Sequence, residues 1–193
     1  RKEASKLNVP RIGVRFRLPA SMNQVEYFGR GPAENYLDRN AGSMVGLYKS
    51  TAEELYFPYV RPQENGHHTD TRWVSLSTGK KCLLIQADNT IGFNALRNSI
   101  EDFDDEEATG LSRQWSNFTP EQVANHDEAA AKNVLRRQHH INDITPCDFV
   151  EVCIDLKQQG VAGYDSWGSR PEPAYTLPAN REYNWGFTLI PLK

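Results

Sequence analysis

The stretch Arg11-Ile12-Gly13-Val14-Arg15-Phe16-Arg17-Leu18 decides the class of fold. Apolar side chains occupy every second position from Ile12 to Leu18, and the alternate positions carry Arg11, Arg15 and Arg17. A period of two places the two sets on opposite faces of a β-strand. The stretch therefore predicts a strand with one apolar face and one arginine face.

The same alternation recurs near the end of the chain. Residues 148–156 carry aliphatic side chains on one face and acids on the other, and residues 182–190 place Tyr183 and Trp185 on an apolar face. Shorter candidate strands, separated by turn residues, are residues 25–28, 71–77, 81–87 and 90–96. Many strands with few helices predict an all-β fold, an antiparallel β-sandwich.

One short helical stretch is predicted, over residues 119–138. Thr119 suits the N-cap, Pro120 suits the first helical position, and Gln122 completes a capping-box pattern. Residues 124–138 are mostly good helix formers with a thin apolar face. We therefore expect this helix to lie on the surface of a sheet.

Composition and charge exclude several classes of function. The 193 residues carry a net charge of −3, so they lack the basic footprint of a nucleic-acid-binding protein. The longest apolar runs, such as residues 82–85, are far too short to cross a bilayer. Three cysteines without a CxxC spacing indicate neither a disulfide scaffold nor a zinc site. Nucleophile-elbow, P-loop and HExxH motifs are absent.

The loop Gly163-Tyr164-Asp165-Ser166-Trp167-Gly168 is the most informative candidate site. Sugars present an apolar C–H face to aromatic rings, and an indole N–H can donate a hydrogen bond. Asp165 and Ser166 would supply polar partners beside Trp167. The alternative is a tryptophan packed under its own loop, which composition alone favours.

Two further segments combine polar and aromatic residues. His67 and His68 follow a mixed loop, and neighbours on a strand face opposite sides, so they do not form a metal pair by themselves. We expect them to be solvated loop histidines. Glu34, Asp38 and Arg39 lie in a long connection, where we expect a structural ion-pair network.

Three ordered motifs resemble segments of the large β-galactosidases of glycoside hydrolase family 2. Residues 27–39 resemble their GxGPxENYxDR segment, residues 59–66 their YVxPxENG segment, and residues 160–167 their GxGGxDSW loop. Thr71-Arg72-Trp73 follows at the expected distance, and Pro10-Arg11-Ile12-Gly13 matches at the front. Together these matches cover most of the chain.

The resemblance is to the C-terminal domain of those enzymes, also called the small-chain or fifth domain. It implies a galactose-mutarotase-like supersandwich, of which this chain would supply the later part. Residues 1–10 would form a connecting segment, and residues 11–193 would form the domain. Residues 97–114 resemble an insertion; they include residues 101–107, a run with six acids in seven residues, and we expect them to be solvated and poorly ordered.

The resemblance also implies a parent enzyme that hydrolyses terminal β-D-galactose residues in β-galactosides with retention of configuration. In that family the catalytic glutamates and a magnesium ion lie on a separate (β/α)₈ barrel, whose motifs do not occur here. The resemblance thus implies no catalytic residue, metal site or cofactor in this chain, which should be inactive alone. Its expected partners are the other domains of an oligomeric parent and a galactoside at the domain edge, not nucleic acid or a membrane.

The aromatic platform of the family, at the substrate entrance, carries over to Trp167. The predicted substrate-binding residues are accordingly Trp167 with its neighbours Tyr164, Asp165 and Ser166. Tyr164 stands where glycine or aspartate is more usual. It would either add a second aromatic edge to the site or only cover the loop.

Two other classes of function stay open. A stand-alone carbohydrate-binding module, or a small subunit acting in trans, would bind sugar through a groove lined by Trp167 and Tyr164. An aldose mutarotase, suggested by fold analogy, needs a general acid and a general base that converge on one face. Its candidates here, His67, His68 and Glu64, are close neighbours in sequence. Sugar affinity of the isolated chain would favour the first class, and accelerated anomer interconversion the second.

Overall fold

The computed structural model describes residues 7–60, 63–103, 141–165 and 167–192. Within these ranges the chain forms seven strands and three single-turn 3₁₀ helices. The strands are β1 (Arg11–Pro19), β2 (Gln24–Gly31), β3 (Met44–Thr51), β4 (His68–Ser77), β5 (Cys82–Leu96), β6 (Phe149–Gln158) and β7 (Phe187–Leu192). The 3₁₀ helices are Ile100–Asp102, Ile141–Asp143 and Pro173–Tyr175.

The strands form one antiparallel sheet in the order β1-β6-β5-β4-β2-β3, and β7 also pairs with β5. The predicted all-β, antiparallel fold is therefore confirmed, and the sheet is consistent with a β-sandwich. The core consists of aliphatic and aromatic side chains with at most 2% exposure, among them Val25, Tyr27, Val74, Leu76, Ile85, Phe93 and Ile154.

The longest strand, β5, is where local sequence and the sheet disagree. Residues 81–87 and 90–96 are predicted as two strands separated by a turn at Asp88-Asn89, but the structure has one strand of 15 residues. Its first half pairs with β4 and β7, and its second half pairs with β4 and β6. Neighbours on both sides of each half outweigh the turn preference of two residues.

Two other strand predictions differ from the structure. β3 was not predicted, because its exposed residues and central Gly46 give a weak pattern; it forms because β2 pairs with it along its whole length. The predicted strand 182–190 is wrong in its first half. Strand β7 begins at Phe187, and Tyr183 and Trp185 precede it.

Strand β6 is buried on both faces, although one face carries acids. Glu151 is 3% exposed and Asp155 is 1% exposed. The arginine face of β1 pairs with them: Arg11 Nη2 lies 2.5 Å from Asp155 Oδ2, and Arg17 Nε lies 3.1 Å from Glu151 Oε2. The arginines thus neutralise carboxylates that could not remain charged in the interior alone.

The chain divides into two compact units. One comprises Arg1–Phe57, Asn65–Arg97 and Cys147–Lys193, and it contains all seven strands and the candidate loop. The other comprises Pro58–Glu64 and Asn98–Pro146; in it the Ser99 N–H donates to Asp102 Oδ2 at 2.7 Å.

Several predicted segments lie outside the described residues. They are the helix over residues 119–138, residues 104–114 of the acidic insertion, and residues 1–6 of the connecting segment. Among the described residues, no helix is long and apolar enough to cross a membrane.

Candidate functional site

Trp167 is the most exposed large apolar side chain of the described residues. It lies on the loop that follows β6, and 93% of its surface is open to solvent. The alternative of a tryptophan packed under its own loop is therefore wrong for this chain. Tyr164, three residues earlier, is 56% exposed, so the loop presents two aromatic side chains.

Asp165 shapes the loop around Trp167. Its Oδ1 atom accepts hydrogen bonds from the backbone N–H of Trp167 at 2.8 Å and of Ser169 at 3.2 Å. The Tyr164 N–H donates to the Ser169 hydroxyl at 3.0 Å. Gly168 has a backbone φ of +85°, a conformation that residues other than glycine rarely adopt. Hydrogen bonds among its own polar groups thus close the turn, and the Asp165 carboxylate stabilises the backbone of the loop. Ser166 lies outside the described residues.

The base of this loop contacts Asp38, in the connection after β2. The Asp38 carboxylate accepts hydrogen bonds from the backbone N–H of Val161 at 3.1 Å and of Ala162 at 2.7 Å. The Tyr164 hydroxyl donates to Asp38 Oδ2 at 3.3 Å. Desolvation, together with the negative charge of Asp38, raises the pKa of the Tyr164 phenol. Tyr164 therefore stays a neutral donor around pH 7.

The same connection also contacts the segment before β4. Glu34 accepts hydrogen bonds from Arg39 at 2.7 Å and from the Gly66 N–H at 2.7 Å. The predicted ion pair between Glu34 and Arg39 is confirmed. Asp38 is the exception to the predicted network, because it accepts backbone amides of the Trp167 loop rather than joining that pair.

The expectation that His67 and His68 are solvated is wrong. Each is only 1% exposed, because strand β4 begins at His68 and both of its faces are covered there. Burial lowers the pKa of His67 to about 3, although a hydrogen bond to Asn94 opposes the shift. Burial also lowers the pKa of His68. Both imidazoles are therefore neutral core groups at pH 7.

The rings of His67 and His68 make their contacts inside the core of the sheet. His67 Nδ1 lies 2.8 Å from Asn94 Oδ1, and the His68 ring stacks on Phe93 at 5.0 Å between centroids. Within the described ranges, no group of three or more His, Cys, Asp or Glu side chains could hold a metal ion. The polar residues of β4 and β5 thus serve packing.

The contact of Asp38 with the Trp167 loop is what sequence reasoning missed, since the sequence predicts Asp38 only as a member of an ion-pair network. The spacing gives no signal for its contact with the loop, because 124 positions separate Asp38 from Ala162. Strands β4 and β5 lie between β2 and β6 in the sheet, so strand pairing does not predict this contact either; it is made by the long connection after β2 in the folded chain. Gly160 is the one residue near the loop that reflects this contact in the sequence, since a Cβ there would overlap the Asp38 carboxylate.

Fold and loop together define an antiparallel all-β domain with an exposed aromatic loop at its surface. The chain matches the family described as "Beta galactosidase small chain" over residues 1–189, and it belongs to that family.

Relatives called β-galactosidase support the assignment. The chain is 34% identical over 185 residues to one from Priestia megaterium, covering 95% of the chain and 15% of the relative. It is 28% identical over 181 residues to one from Vibrio cholerae serotype O1, covering 94% of the chain and 14% of the relative. A third, from Arthrobacter sp. (strain B7), is 42% identical over 99 residues, which is 48% of the chain and 10% of the relative. The chain therefore spans about 15% of the length of these relatives.

Proposed function

We propose that this chain is the noncatalytic C-terminal domain of a retaining β-galactosidase that hydrolyses terminal β-D-galactose residues. In this role it supports assembly of the parent and contributes an aromatic wall to the substrate entrance. The observation that carries the proposal is Trp167, which is 93% exposed on a hydrogen-bonded loop in a member of the β-galactosidase small chain family. Tyr164 on the same loop is also exposed, and aromatic surface grouped in this way is typical of binding sites, whereas a single exposed apolar residue is ordinary.

The proposed chemistry at the loop is stacking. The apolar C–H face of a sugar packs on the Trp167 indole, and the ring excludes water from that side of the sugar. Tyr164 provides a second aromatic edge, and Asp165 holds the turn. Ser166 stays a proposed polar partner of the substrate.

The domain is proposed to orient the substrate and not to cleave it. Hydrolysis with retention needs two carboxyl groups about 5–5.5 Å apart across the glycosidic bond. Two acids at this loop, Asp165 and Asp38, accept backbone amides of the loop instead. The proposed nucleophile, acid/base and magnesium ion of the parent belong to a separate barrel domain. The described residues offer no cluster of His, Cys, Asp or Glu ligands that fits that ion.

Assembly is proposed to use one face of the sheet. The register places Phe28 beside Leu47 and Trp73, and Leu84 beside Ile190. This face is open: Leu47 is 59% exposed, and Phe28 is 38% exposed. Sheets in a sandwich bury such faces against each other. We therefore propose that a neighbouring sheet of the parent covers this face and completes the supersandwich.

The test is substrate binding by the full-length enzyme that carries this segment. Replacing Trp167 by Ala removes the stacking surface, which is worth about 1–2 kcal/mol. The KM for ortho-nitrophenyl β-D-galactoside should rise about tenfold, which corresponds to that energy. The matched control is Trp185→Phe, because Trp185 is only half-exposed and packs on Phe187 at 5.3 Å. Unchanged kinetics of Trp167→Ala would refute the aromatic wall.

The same loop would serve a stand-alone sugar-binding module, since Trp167 is already exposed in the chain by itself. Titration of the chain with galactose, followed by tryptophan fluorescence, separates the two functions. We expect no saturable change, because the proposed site needs the other domains. A saturable change that Trp167→Ala abolishes would favour the module.

A further inference from the structure

The base of the Trp167 loop leaves the sheet at Gln158, where β6 ends. Beyond that point, the N–H groups of Val161 and Ala162 donate to the side chain of Asp38, at 3.1 and 2.7 Å. Each carboxylate oxygen accepts one of them, Oδ1 from Val161 and Oδ2 from Ala162. Charge-assisted bonds of this kind are stronger than bonds between neutral groups.

Asp38 also bonds the loop backbone at a residue with an unusual conformation, Ala162. Ala162 has φ +56°, in the left-handed region that residues other than glycine seldom adopt. Such a conformation persists where its surroundings hold it in place, and here the Ala162 N–H is bonded to Asp38. Two residues earlier, Gly160 has no room for a Cβ because the carboxylate occupies that space.

The contact continues towards Trp167. Tyr164 donates its hydroxyl to Asp38 Oδ2 at 3.3 Å, and its own N–H is bonded to Ser169 inside the turn that Asp165 closes. A continuous path of hydrogen bonds thus runs from Asp38 through Tyr164 to the turn that carries Trp167. The indole itself is exposed, so its direction depends on the backbone of this turn.

The support of Asp38 is rigid. Tyr36 and Arg39, on either side of it, exchange backbone hydrogen bonds at 2.8 and 3.3 Å. Tyr36 is 1% exposed and stacks on His67 at 5.6 Å between ring centroids. A side chain held on a buried turn can fix the geometry of a more exposed one.

We infer that Asp38 is a positioning residue for Trp167: its carboxylate fixes the base of the loop and so aims the indole at the sugar. This inference rests on the proposed role of Trp167 in substrate binding. Asp38 touches no substrate; it acts through the backbone of residues 161–162 and the hydroxyl of Tyr164.

The test is a double-mutant cycle in the full-length enzyme that carries this segment, with ortho-nitrophenyl β-D-galactoside as the probe. Asp38→Ala should raise KM about as much as Trp167→Ala, roughly tenfold, and should leave kcat within about twofold. In the Trp167→Ala background, Asp38→Ala should have no further effect, because coupled residues are not additive. If the effects of the two substitutions on KM simply multiply in the double variant, the inference is overturned.

The matched control is Asp88→Ala. Asp88 also packs its carboxylate against the position of a glycine Cβ, that of Gly186, but at the pairing of β5 with β7. It should leave KM unchanged. Asp38→Asn retains one acceptor oxygen and should give an intermediate KM, and Tyr164→Phe removes a single hydrogen bond. These two variants test the inference if Asp38→Ala does not fold, and wild-type KM in both would overturn it.

Amide hydrogen exchange separates failure of the inference from failure of the proposed function. If Trp167→Ala leaves KM unchanged, the proposed function fails, and exchange at residues 160–169 still reports whether Asp38 fixes the loop. In that case, exchange at least tenfold faster in Asp38→Ala supports positioning, and unchanged exchange refutes it. If Trp167→Ala raises KM and Asp38→Ala does not, the proposed function stands and the inference is refuted.

Discussion

Residues 65–69 and residues 160–169 both mix amide or carboxylate groups with ring side chains, and both are bonded to the connection after β2. Glu34 and Asn35 bond the first segment, through Gly66 and Thr69, while Asp38 bonds the second. Nevertheless, residues 65–69 are buried, whereas residues 163–165, 167 and 168 of the second segment are exposed. Strand β4 carries the first into the core, whereas the second begins where β6 ends. Similar composition thus serves packing in one place and surface presentation in the other.

The largest expected effect concerns the buried segment. Asn35 is fully buried; its Oδ1 accepts from the N–H and the hydroxyl of Thr69, and its Nδ2 donates to the carbonyls of Arg30 and Ala33. Asn35→Ala removes these four buried hydrogen bonds, so the free energy of unfolding should fall by about 3 kcal/mol. Urea denaturation measures this fall.

The control for this prediction is Asn184→Ala. Asn184 makes one hydrogen bond, to Glu182 at 3.0 Å, in an exposed segment, and its replacement should cost less than about 0.5 kcal/mol. Equal losses of unfolding free energy in the two variants would show that the burial of Asn35 does not make it more important for stability than an exposed asparagine.

The second-largest expected effect is destabilisation of the buried segment by acid. Burial lowers the pKa of His67 from 6.5 to about 3, so between these values the unfolded chain binds a proton that the folded chain does not. Stability is therefore complete above about pH 6.5 and falls as pH is lowered towards 3. Between pH 7 and 5 the loss from His67 should be about 2 kcal/mol.

Asp155 does not reverse this direction, although its Oδ2 lies 3.9 Å from His67 Nδ1, because Arg11 binds that oxygen at 2.5 Å. The measurement is urea denaturation at pH 7 and pH 5, with His67→Gln as the reference. A stability loss between pH 7 and 5 that is the same in wild type and variant would contradict the assignment of a neutral, buried His67.

The smallest expected effect on stability concerns the exposed loop that carries Trp167. Trp167→Ala should change the free energy of unfolding by less than about 0.5 kcal/mol, since the indole is 93% exposed. The same variant is expected to raise KM in the full-length enzyme. Thermal unfolding measures the first quantity, and a loss of more than about 2 kcal/mol would mean that the indole packs on the domain.

The pattern of the sequence predicts most of this sheet, because apolar and charged residues alternate with a period of two in β1 and β6. It fails where pairing overrides local preference, as in the continuous β5 and in β3, which forms along β2. It fails again at His67 and His68, since burial depends on strands that are distant in sequence. The candidate loop follows from its residue types, but the contact of Asp38 with it does not, because the two segments are distant in sequence and meet only in the folded chain.

The most direct test of the central proposal is the size of the natural polypeptide that carries this segment. An antibody to the 21.9 kDa chain would be used on a source-cell extract, beside an activity gel for β-galactosidase. We expect a band several-fold larger than the chain that co-migrates with the activity, as the 15% coverage of the relative indicates. A band near 21.9 kDa, with the activity elsewhere, would contradict the account of a domain within the enzyme.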